Sequence, residues 1–189
     1  MNKAYQTMRG FWLDVKNLKH KEEVPQLGAH KICVAGVEMA AKDDQGAIKN
    51  IFIAASSLGN ASLYFENKSP SGIGGMTGGA ASGPIREKAL HFLQTAVKLA
   101  DTLPQAGQLP LLQDPAQVSL FVVSTDGTIR CAMVTEEEVR KPEHPWYAFF
   151  AYSQQLLGAF RMAQEQTVKA PQAPQPPTQV TEKQNETKV

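Results

Sequence analysis

The stretch Val118–Thr135 constrains the fold more than any other part of the chain. It reads VSLFVVS, then Thr125-Asp126-Gly127, then TIRCAMVT. Two apolar runs rich in β-branched residues and joined through Asp-Gly predict a β-hairpin, because Asp and Gly accept the backbone angles that a tight reversal demands. A chain with this hairpin needs further antiparallel strands beside it. Three other runs have strand character. His30–Ala41 carries Ile32, Val34, Val37 and Met39, Ile48–Ser56 reads IKNIFIAAS, and Ala61–Glu66 reads ASLYFE. Asp43-Asp44-Gln45-Gly46 and Leu58-Gly59-Asn60 separate them, so both connections read as antiparallel hairpins.

Helical spacing fills the remainder. Tyr5, Met8, Phe11, Trp12, Val15 and Leu18 recur every three to four residues and predict an amphipathic helix over 3–20. Pro84 fits the first turn of a second helix, where its missing N–H has no intrahelical partner. Ile85, Ala89, Phe92, Leu93, Ala96, Val97 and Ala100 form the stripe of that helix, which runs to Leu103 before Pro104. His144-Pro145 starts a third helix through about Ala163. The expected order is α-β-β-β-α-β-β-α: a two-layer α+β domain with a five-stranded, mostly antiparallel sheet covered by helices. With 189 residues, one domain over 1–166 is expected. Residues 167–189, TVKAPQAPQPPTQVTEKQNETKV, are rich in Pro, Gln and Thr and lack aromatic residues. They are expected to form a disordered tail, since they offer little apolar surface to offset ordering entropy.

Composition narrows the class. Hydrophobic residues make up 42% and charged residues 20%, values that suit a globular chain and not one disordered throughout. No apolar run approaches the roughly 20 residues a membrane helix needs, and the N-terminus lacks a secretory pattern. Two cysteines, Cys33 and Cys131, suit a reducing compartment. A cytoplasmic location is expected. The net charge of +1 gives no overall reason to expect nucleic acid as a partner.

The most unusual stretch is SPSGIGGMTGGAASG, residues 69–83, lying between a strand and a helix start. Backbone N–H groups there can cradle an anion. Gly74, Gly75, Gly78, Gly79 and Ser82 are the candidate residues of a phosphate- or nucleotide-binding enzyme. However, the stretch lacks the Gly-Lys-Ser/Thr ending and the third glycine of the dinucleotide pattern. A flexible connector is the simpler reading. The four histidines show no metal-ligand spacing, the cysteines form no C-x-x-C, and there is no Gly-x-Ser-x-Gly elbow. The polar residues therefore point to a protein that is not an enzyme and needs no cofactor or metal. Within residues 1–21, Lys3, Arg9, Lys16, Lys19 and Lys21 face only Asp14, which makes attachment to an anionic membrane surface a second alternative.

The last helix, HPWYAFFAYSQQLLGAFRMA, sets bulky residues almost all the way round its first turns, where covering a sheet needs only one stripe. That excess, together with the first helix, marks Trp12, Trp146, Phe149, Phe150 and Phe160 as candidates for contact with a protein partner or a second copy. The element order resembles that of the class I secretion chaperones of type III systems. The resemblance covers residues 3–165 and is one of topology. It implies a small cytosolic α+β protein that dimerises and holds another protein in a secretion-competent state. The expected function is accordingly a non-enzymatic adaptor or chaperone, with the association with secretion implied by the resemblance.

Overall fold

The structure is a computed structural model that describes residues 3–18, 25–42, 45–46, 48–66, 73–76 and 82–169. Its framework is one antiparallel sheet. Strands β1 (Ile32–Lys42), β2 (Ile48–Ser56), β3 (Ala61–Glu66) and β4 (Ile73–Met76) form a meander. After helix α2 (Gly83–Leu99), β5 (Gln105–Ala106) lies at the far edge, and the hairpin of β6 (Gln117–Ser124) and β7 (Ile129–Thr135) fills the gap. The order across the sheet is β4-β3-β2-β1-β6-β7-β5.

The chain is α+β as the sequence predicts, but the sheet has seven strands and not five. The two extra strands are short edges. β4 forms inside the glycine-rich stretch by pairing Ile73–Met76 with Leu63–Glu66. Glycine is needed there for packing: a Cβ on Gly74 would overlap the Phe65 ring, and one on Gly75 would overlap the Leu63 carbonyl. β5 is only Gln105–Ala106, too short for any periodic signal.

The two-layer expectation also changes. Strand β1 is buried at nine consecutive positions, Ile32–Ala40, because it is paired on both edges and covered on both faces. On one face Val37, Ile53, Leu63 and Leu120 sit in register, beneath α2 and α4 (Tyr147–Lys169). On the other, Phe52, Tyr64 and Phe121 lie under α1 (Lys3–Leu13), which adds Tyr5 and Trp12. Gly36 lets Phe121 lie flat against the strand, since a Cβ there would overlap the ring and come within 2.8 Å of the Ile53 carbonyl. The sheet thus lies between helical layers.

Local capping corrects the remaining boundaries. The first helix ends at Leu13 because Asp14 takes the Lys16 N–H (3.0 Å) and starts a separate 3-10 turn, Val15–Asn17. Glu136–Val139 forms a short helix, α3, set by a capping box: Thr135 Oγ1 accepts the Glu138 N–H (3.2 Å), and Glu138 accepts the Thr135 N–H (3.2 Å). The last helix begins at Tyr147 and runs to Lys169. Residues 170–189 of the expected tail lie outside the described residues.

Candidate functional site

The aromatic residues singled out above turn out to be core. Phe149, Phe150 and Phe160 are fully enclosed, and Trp12 is 5% exposed. Phe149 packs on Phe92 of α2 with ring centroids 5.2 Å apart, and the Arg140 guanidinium lies 5.4 Å from the centre of the Phe150 ring. Trp146, half-buried, donates its indole N–H to Thr102 Oγ1 (2.9 Å) and ties the start of α4 to the end of α2. Trp12, Phe149, Phe150 and Phe160 therefore present little surface for contact, whereas Trp146 stays half-buried. The wide aromatic arc has a physical reason: the first turns of α4 are wedged against the sheet, α2 and the Arg140 side chain at once.

Of the anion candidates, three lie among the described residues. Gly74 and Gly75 are strand residues in β4, and Ser82 is the N-cap of α2 without a side-chain capping bond. Gly78 and Gly79 lie outside the described residues. The basic N-terminal helix loses its most central charge to the interior: Arg9 is buried, while Lys19 and Lys21 lie outside the described residues. Among the described residues no helix is long and apolar enough to cross a membrane, and no group of three or more His, Cys, Asp or Glu could hold a metal. Cys33 and Cys131 form no disulfide and lie buried in different strands, and burial pushes the Cys131 thiol up.

Sequence reasoning missed a buried polar cluster. Glu38 of β1 is fully buried on the face under α1. Arg9 Nε donates to Glu38 Oε1 (3.1 Å) and Oε2 (2.9 Å), and the Tyr5 hydroxyl donates to Oε1 (2.9 Å). A second Arg9 nitrogen donates to the Leu109 (2.9 Å) and Pro110 (2.7 Å) carbonyls, so one guanidinium joins helix, sheet and loop. Burial pushes the Glu38 carboxyl up, and Arg9 and Tyr5 pull it partly back. Burial, then the Glu38 charge, hold the Tyr5 hydroxyl protonated. With every partner internal, the cluster serves as an anchor for α1. The signal was present in the sequence: a lone carboxylate within the apolar run Val34–Ala41 must either face water or find a partner.

What the surface does offer is a groove of about 320 Å³ between α2 and α4. Pro84 forms one wall, and Gly158, Ala159, Met162 and Ala163 form the other. Met162 is 64% exposed, the most exposed of the large hydrophobic side chains described. Lys88 is the only charged residue among the described residues lining the groove, and its contact with Glu87 is a loose 3.8 Å surface pair. Gly158, Ala159 and Ala163 contribute little side-chain bulk on the α4 side.

No family model matches the chain, and no curated protein matches it.

Proposed function

We propose that the chain is a non-catalytic protein-binding module, an adaptor or chaperone acting in the cytoplasm and tied to secretion, a reading its element order supports. Its contact surface is the α2–α4 groove and not the aromatic rings. The observation that carries this reading is the groove itself: an apolar trough between two helices, with an unusually exposed methionine on its wall. A trough of this shape suits an amphipathic helix laid between α2 and α4 with apolar anchors at helical spacing. Methionine, flexible and polarisable, adapts to such anchors. Lys88 at the rim favours a partner segment with an acidic residue beside the apolar face.

The test is the affinity of the isolated partner for the full chain and for Met162→Glu. The reading expects at least a roughly tenfold loss in the variant, equivalent to about 1.4 kcal/mol. Unchanged affinity would remove the groove from the account. Light scattering separates a different partner from a second copy: a dimer broken by Met162→Glu would make the occupant another copy of this chain.

A further inference from the structure

A second concavity lies on a different part of the molecule, at the sheet end carrying the β6–β7 reversal. It encloses about 470 Å³, a volume suited to a small ligand. Three parts of the chain line it: Ala29–Lys31, just before β1; Ser124, Thr125, Asp126, Thr128 and Arg130 around the β6–β7 reversal; and Gln105 of β5. The first two are tied by the Thr125 N–H donating to the Lys31 carbonyl (3.0 Å). Lys31 is the one described non-glycine residue with positive φ, at 51°. That conformation is disfavoured for an L-residue, and it persists only where the surroundings fix it. Glycine or asparagine would be the usual choice; this chain keeps a cation there.

The charges lining the cleft are unevenly matched. His30 is taken up by Asp101. Asp126 also lines the cleft; it accepts the Thr128 N–H (2.8 Å), and that bond first, with the nearby Lys31 charge, holds its carboxyl below the usual range. Neither Lys31 nor Arg130 forms an ion pair among the described residues, and the one hydrogen bond of the Arg130 side chain goes to the Leu103 carbonyl (3.1 Å). Lys31 and Arg130 thus line a cleft together with one carboxylate, Asp126, and the hydroxyl residues Ser124, Thr125 and Thr128. A guanidinium fork, a point-charge ammonium and several hydroxyl donors together match an anion with three terminal oxygens better than a planar carboxylate. The volume leaves room for more than that anion alone.

We propose that this cleft binds a small phosphate monoester, its phosphoryl oxygens held by Lys31 and Arg130 and its organic part resting against the hydroxyl residues. The site is separate from the α2–α4 groove and does not depend on what occupies that groove.

The test titrates the isotope-labelled full chain with ribose 5-phosphate, inorganic phosphate and citrate, following backbone amide resonances. The expected result is saturable shifts at Lys31, Thr125 and Thr128, with ribose 5-phosphate binding tighter than inorganic phosphate, and inorganic phosphate tighter than citrate. Lys31→Asn keeps a residue that tolerates the backbone and should weaken ester binding about tenfold; Arg130→Gln should do the same. Shifts that fail to saturate with any probe, that cluster elsewhere, or that survive in Lys31→Asn would overturn the proposal. Equal affinity for inorganic phosphate and the ester would overturn its assignment to a monoester, and tighter citrate binding would overturn its assignment to phosphate.

Discussion

Replacing Arg9 with methionine tests how the α1 layer is held. Methionine keeps much of the apolar stem but removes the guanidinium, leaving Glu38 with the Tyr5 hydroxyl alone and two loop carbonyls, Leu109 and Pro110, without their donor. Breaking a buried pair by removing one partner costs about 3–5 kcal/mol. The variant can escape part of that by protonating Glu38, which for an ordinary carboxyl costs about 3.7 kcal/mol at pH 7 but only about 1 kcal/mol at pH 5. The sign of the pH effect follows from the raised carboxyl. A carboxyl raised in the folded state favours folding most below its ordinary range, and that contribution is lost as pH rises through the folded value. Removing Arg9 raises it further, so the gap between wild type and variant should widen from pH 5 to pH 7, by at most about 2.7 kcal/mol, the limit for one proton over two pH units. Urea melts followed by circular dichroism at the two pH values measure this. The double variant Arg9→Met/Glu38→Gln, with no charge to bury, should lose the widening. A loss in Arg9→Met below about 0.5 kcal/mol, a value typical of surface changes, or one equal at both pH values, would refute the reasoning.

Other perturbations follow from packing and capping. Gly36→Ala drives a methyl into the Phe121 ring and toward the Ile53 carbonyl; thermal melts should show a loss of about 1–3 kcal/mol. Thr135→Ala removes the cap of the short helix after β7, and chemical denaturation should show a loss of about 1 kcal/mol. Met162→Glu lies on exposed helix surface, so its melting temperature should match wild type while partner affinity falls.

Much of the fold could be read from local pattern, and what could not was decided by tertiary contacts. The Asp126-Gly127 reversal forms where expected, with the Gly127 N–H on the Ser124 carbonyl (2.9 Å) and Gly127 at φ 90°. The strand runs around Val37, Ile53 and Leu63 hold their expected positions because their apolar content is high. β4 and β5 were hidden, since four residues containing two glycines and a two-residue edge carry no periodicity. The box of Thr135 and Glu138 was legible as Thr-x-x-Glu, but three consecutive glutamates made the segment resemble a solvated strand exit. The site was harder. Aromatic density on α4 suggested an exposed face, yet periodicity cannot say how many sides of a helix are covered, and here the sheet, α2 and Arg140 all cover it. Pro84, Gly158, Ala159 and Ala163 are among the residues lining the groove, and the exposure of such residues has no signature in one dimension.

The proposed binding surface is tested most directly by site-specific photo-cross-linking. A benzophenone amino acid placed at position 162, and separately at exposed Phe11 on the opposite helical layer, is activated in the full chain bound to its purified partner. The account predicts a covalent adduct with the partner from position 162 and none from position 11. An adduct from position 11 with none from position 162 would contradict it.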